Sequence, residues 1–139
     1  MANVNVIVTG TRNVLANMAM RKAQVAAGAS TGLKLAGLLL QRDSQSHVPV
    51  EFGPLKASAY TRATGKGFDT VVDVGYTAAY AVYVHELVAM KLKGQPRPSG
   101  RGQFWDPQGQ AQAKFLEEPA RRLTPEMSRI IFLSAKIKP

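Results

Sequence analysis

The chain has no cysteine and only two histidines, His47 and His85. Without thiols, disulfides, thiolate metal sites and cysteine nucleophiles are excluded. Two histidines leave little material for a metal site or an acid–base pair. His85 and Glu86 are adjacent, and on a strand they would point to opposite faces. Glu117 and Glu118 do not face each other on a helix. Ser44, Ser46 and His47 lie close in sequence, but no orienting acid or nucleophile elbow accompanies them. Gly65-Lys66-Gly67 lacks the ending and the following helix of a phosphate loop. The expectation is a protein without catalytic residues, metal or cofactor.

Acidic residues are scarce as well, nine against eighteen lysines and arginines, for a net charge of +9. That balance favours nucleic acid, an anionic membrane or an acidic protein surface as partner, or serves plain solubility. Charged residues together make up 19%, below the usual share of about a quarter. A lower charge density suits a surface partly covered by partners. Long apolar runs are missing too. Leu35 to Leu40 is short and flanked by Lys34 and Arg42. The first residues lack the basic and apolar regions of a signal peptide. The sequence therefore predicts neither a leader nor a membrane span.

What is present is enough for one packed domain over residues 1–139, with 45% hydrophobic residues. Val4, Val6 and Val8 alternate as in a short strand, ended by Gly10. A long helix is expected from Arg12 to Ser44, capped by Thr11 or Asn13 and stopped before Pro49. Leu15, Met18, Val25, Ala29, Leu33, Ala36 and Leu40 form its apolar stripe. Gly28, Gly32 and Gly37 weaken it, so packing on more than one side is expected to hold it. A second stripe of small residues, Ala19, Ala23, Ala26, Ser30 and Gly37, would admit another backbone closely. It also fits a helix that simply uses alanine as a good helix former.

Leu55 to Thr64 and Phe68 to Tyr76 alternate as strands joined by a tight hairpin at Gly65-Lys66-Gly67. Thr77 to Leu87 fits a strand or a short helix. Residues 88–113 are rich in glycine and proline and read as an extended arm. The arm carries Lys91, Lys93, Arg97, Arg101, Phe104 and Trp105. Such a set can insert Trp105 as an anchor into a neighbouring subunit, or bind single-stranded nucleic acid by charge and stacking. From Lys114 a helical pattern returns, with Thr124-Pro125-Glu126 reading as a cap.

Three segments resemble phage tail-completion proteins, also catalogued as minor tail components or minor capsid proteins. The first runs from Ser46 to Ser58, with Pro49, Gly53, Leu55 and Ser58 in the family's spacing. The second runs from Val74 to Glu86 and holds Tyr80, Ala81, His85 and Glu86. The third holds Lys114, Phe115 and Leu116. Phe52 departs from the small hydroxyl residue usual before the motif glycine. The resemblance implies an α+β fold, a long N-terminal helix packed on a small antiparallel sheet with a C-terminal helix. It further implies a non-catalytic ring, commonly sixfold, in the virion neck, made in the host cytoplasm. Its neighbours would be the portal, adaptor or stopper protein on one side and the tail terminator or tail tube on the other. DNA would pass through with only transient contact, and no membrane is implied. The other reading of the composition is a basic nucleic-acid-binding protein using the Phe104-Trp105 loop.

Overall fold

A computed structural model describes residues 7–50, 53–88 and 110–136. The fold is α+β. One long helix, α1 (Thr11–His47), lies between a β-hairpin and a C-terminal helix, α4 (Glu117–Ala135). Between them come a helical turn α2 (Pro54–Ala57), strands β1 (Ala59–Thr64) and β2 (Val71–Tyr76), and a short helix α3 (Ala81–Glu86).

Neither Thr11 nor Asn13 caps α1. Gly10 takes that place with φ 86°, and no side chain caps the helix. The Gly10 carbonyl accepts the Val14 N–H at 3.1 Å. A left-handed turn comes without steric penalty at glycine. The expected N-terminal strand lies largely outside the described residues, and Ile7 to Gly10 show no strand. At the other end Val48 is extended (φ −70°, ψ 129°), because proline disfavours helical backbone in the residue before it. The Gln112 N–H donates to the His47 carbonyl at 3.0 Å, so the start of the C-terminal segment closes a carbonyl that α1 leaves open.

β1 and β2 pair antiparallel, from Ala59 opposite Tyr76 to Thr64 opposite Val71. Two strand expectations need correction. Leu55 to Ala57 belong to α2, because Gly53 (φ 94°) and Pro54 at the first helical position start a turn. The hairpin connection is also longer than a tight turn, since Gly67–Asp69 forms a 3₁₀ turn. Thr70 fixes that turn, its hydroxyl donating to Gly67 O at 2.8 Å and reaching Ser30 Oγ at 2.9 Å.

The glycines of α1 are held on two sides. A Cβ on Gly37 would lie 2.6 Å from Val72 Cγ1 and 3.0 Å from Thr61 Cγ2, on the hairpin. On Gly28 it would collide with the Ser134 carbonyl oxygen, and on Gly32 it would lie 2.7 Å from Ile131 Cα. α4 therefore runs antiparallel to α1, backbone close to backbone. Arg122 pairs with Asp43 at the far end of the contact.

α4 is continuous through Pro125, so Thr124 is not its cap. The side chain of Thr124 instead donates to Ala120 O at 2.7 Å. The helix opens earlier, with Pro119 in its first turn and Glu117 and Glu118 near its positive end.

By length and composition alone α1 could also cross a membrane, since an 18-residue window averages a mean hydropathy of 1.2. This corrects the expectation that no stretch approaches a spanning length, because Lys34 is the sole charged residue between Ala23 and Leu40. Alanine, glycine, serine and threonine dilute the helix without charging it. Only 22% of that window is buried, while Gly28, Gly32 and Gly37 pack against α4 and the hairpin.

Candidate functional site

The three family-like segments meet at one pole of the molecule. Phe115, 1% exposed, is the hub, with Val48, Leu55 and Ala81 buried beside it. Tyr76 and His85 each present a ring edge-on, with centroids 5.1 and 5.0 Å from Phe115. Leu116 packs at the margin. Pro49 is buried, and Gly53 supplies the turn. The Ser58 hydroxyl donates to Leu55 O at 2.8 Å. Tyr80 is exposed.

His85 lies on a helix rather than a strand, so Glu86 can reach it. Its Nε2 accepts the Glu117 N–H at 3.4 Å, and its Nδ1 lies 2.8 Å from Glu86 Oε1. An acceptor Nε2 places the proton on Nδ1, which donates to the carboxylate. Lys114 completes the cluster. Its Nζ donates to Glu86 Oε2 at 2.6 Å and pairs with Glu117 Oε2 at 3.1 Å, while Arg121 pairs with Glu117 from outside. Lys114 has a left-handed backbone (φ 57°), rare for a residue with a Cβ. Its own N–H, bonded to His85 O at 2.7 Å, holds it there.

The ion pairs shift their members in opposite directions. The Lys114 hydrogen bond, then that of His85, holds the Glu86 carboxyl below the usual range. Lys114 lowers Glu117 as well, and Glu86 and then Glu117 raise Lys114. Lowered carboxylates add stability above the ordinary glutamate value and lose it as pH falls through the depressed value. Acid should therefore loosen the α3–α4 junction. In Glu86→Gln/Glu117→Gln the melting temperature should fall less steeply below about pH 4.5 than in the parent. Identical acid limbs in a thermal-melt series would contradict this. These groups are solvent-facing, so the difference should be modest and shrink in salt.

Tyr76 reaches the other side of this pole. Its hydroxyl bonds Ser44 Oγ at 2.7 Å, Ser44 is fully buried, and burial pushes the phenol pKa up. Removing either hydroxyl leaves the other unpaired, at a cost of about 1–3 kcal/mol. Ser44→Ala and Tyr76→Phe should each destabilise by that order, and the double variant by less than their sum. Strict additivity in urea melts would show that the pair is not coupled.

Beside Phe115 lies an open cleft of about 280 Å³, lined by Tyr76, Ala81, Val82, His85, Glu86 and Leu116. That is at the small end for a small-molecule site. Among the described residues no group of three His, Cys, Asp or Glu could hold a metal, and no nucleophile–base pair opens into the cleft.

The opposite pole is different. Residues 11–24 of α1 are exposed on every side, a rod about 21 Å long. Leu15 and Met18 are 65% and 63% exposed, and Val14 and Met20 are similar. Leu15 and Met18 continue the stripe that Val25, Ala29, Leu33, Ala36 and Leu40 turn into the protein. Of the small-residue stripe, Ala19 and Ala23 stand on this uncovered rod. Ala26 instead meets Gly67 of the hairpin turn, and Ser30 is buried against Thr70. Those two are used inside the chain.

Lys91, Lys93, Arg97, Arg101, Phe104 and Trp105 lie outside the described residues. Sequence reading missed Ser44–Tyr76, the reach of Lys114 to Glu117, and the Gly28–Gly32 contact with α4. Only the last had a local signal, two glycines four apart on one helix face. No family model, curated protein or solved structure matches the chain.

Proposed function

We propose that the chain is a non-enzymatic structural subunit of a phage neck. In this reading it forms a ring that joins the DNA-filled head to the tail tube and lines the DNA passage. One observation supports an assembly role above others. The apolar stripe of α1 runs on for fourteen exposed residues beyond the hairpin and α4, with none of the described residues covering it. A partner that covers the rod would remove its apolar area from water, at about 25 cal/mol per Å². The neck assignment itself rests on the resemblance of three ordered segments. Their convergence around Phe115 supports reading them as one unit.

Charge is consistent with a DNA channel. Arg12, Arg21, Lys22, Lys34 and Arg42 lie along α1, and no acid precedes Asp43 among the described residues. Such a surface attracts DNA without base readout, which suits a conduit. The test is a phage with a stop codon early in the gene for this chain. It should accumulate filled heads and finished tails that do not join, and adding the purified protein should join them. Joined, infectious particles without the chain would overturn the proposal.

A further inference from the structure

We propose that the free end of α1 is a plug that seats in the Phe115-side cleft of a second copy of the chain. This deepens the ring reading and rests on it. It commits to one contact: Leu15 and Met18 of one subunit against Val82 and Leu116 of the next.

The plug cannot seat in its own subunit. The cleft is fastened to the far end of α1 through Ser44–Tyr76 and His47–Gln112. Thr11 and Ser44 are therefore about 50 Å apart on one continuous helix. No hinge is available, since α1 is unbroken from Thr11 to His47. Plug and socket on opposite ends of a rod can be satisfied only between molecules.

Chemistry favours the pairing. The rod carries Arg12, Arg21 and Lys22 and no acid. A second rod laid against it would meet the same charges. Glu86 lines the cleft and Glu117 stands beside it with Lys114 and Arg121, so the socket side holds carboxylates where the rod holds none. Glu86 and Glu117 are engaged, while Glu118 is exposed on the first turn of α4. The cleft is mostly apolar, and Val82 in its lining is exposed. It has room for a few aliphatic side chains, which Leu15 and Met18 would provide.

The contact is heterologous, so an open chain of copies keeps one free plug and one free socket until a ring closes. Half the surface of a rod about 21 Å long and 10 Å wide is on the order of 300 Å². Stable pairs bury about 800 Å² per partner. A single contact is therefore weak, and closure, which gives every subunit two contacts, is what holds the ring.

The absence of cysteine makes a direct test clean. Met18→Cys and Val82→Cys are prepared as separate full-length proteins, both at exposed positions, with circular dichroism to confirm the fold. Mixed and oxidised, they should give a disulfide-linked heterodimer in large excess over either homodimer. The double variant should give a ladder ending in a closed ring. Homodimers of Met18→Cys alone would overturn the proposal in favour of rod-to-rod pairing. No linkage in either arrangement would overturn it outright. Rings from the wild-type chain without the Met18–Val82 linkage would leave the ring reading standing and remove only this contact.

Discussion

Phe115→Ala should cost about 3–5 kcal/mol, the range for removing a buried aromatic side chain. Phe115 comes from the segment before α4 and is the largest group at the meeting point of four separate segments. Val48 follows α1, Leu55 sits in α2, and Ala81 opens α3. The rings of Tyr76 and His85 also rest edge-on against it, each contact adding about 0.5–1.5 kcal/mol beyond burial for an aromatic pair. Small domains are stable by about 5–15 kcal/mol, so the loss is a large share of the total. Phe115→Leu should cost much less, because it keeps most of the volume. Urea denaturation with tyrosine and tryptophan fluorescence reads the difference. A Phe115→Ala midpoint close to the parent's would mean that this pole is not the core.

The second large effect is expected at Gly32. Helix propensity alone says that replacing a mid-helix glycine stabilises by up to about 1 kcal/mol. Packing says the reverse, because the new Cβ would sit 2.7 Å from Ile131 Cα and 3.0 Å from Ser134 Cβ. The first of these is backbone, so α4 itself must move. Overpacking of this kind costs about 1–3 kcal/mol, and Gly32→Val adds two methyl groups with little propensity gain. Gly32→Val should destabilise by about 2–3 kcal/mol and separate α4 from α1. Gly10, with nothing within 4 Å of its notional Cβ but φ 86°, offers a contrast. Gly10→Ala meets only backbone strain, at about 1 kcal/mol. A stabilised Gly32→Val would mean that α4 does not lie against α1 as described.

The sequence carried the α+β class, the long helix and the two strands because their signals are local. Alternation over Thr61 to Thr64 and Val71 to Tyr76 needs no knowledge of the rest of the chain. Boundaries went astray where a neighbouring residue outvoted the pattern. Leu55 alternates as a strand residue would, yet Gly53 and Pro54 start a helical turn. Thr124-Pro125 looks like a cap, yet α4 had already begun at Glu117. His85 and Glu86 point apart on a strand but not on a helix, and the pattern of Thr77 to Leu87 leaves that choice open.

The candidate site was half legible for a similar reason. His85, Glu86, Lys114, Phe115 and Leu116 could be singled out as motif residues. That they form one cluster depends on a contact across 28 residues, from Lys114 to Glu86. The apolar stripe of α1 was legible, including Leu15 and Met18. That its first turns lie beyond the hairpin and α4 depends on where Gly67 and Ala135 come to rest. No periodicity within α1 carries that information.

We propose that the first fourteen residues of α1 are covered by another subunit at a head–tail junction. Direct imaging of the joined particle at side-chain resolution tests it. The expected image is a closed ring of this chain between head and tail, with residues 11–24 enclosed by the adjacent copy. A junction without this chain, or one in which those residues stand free in solvent, would contradict it.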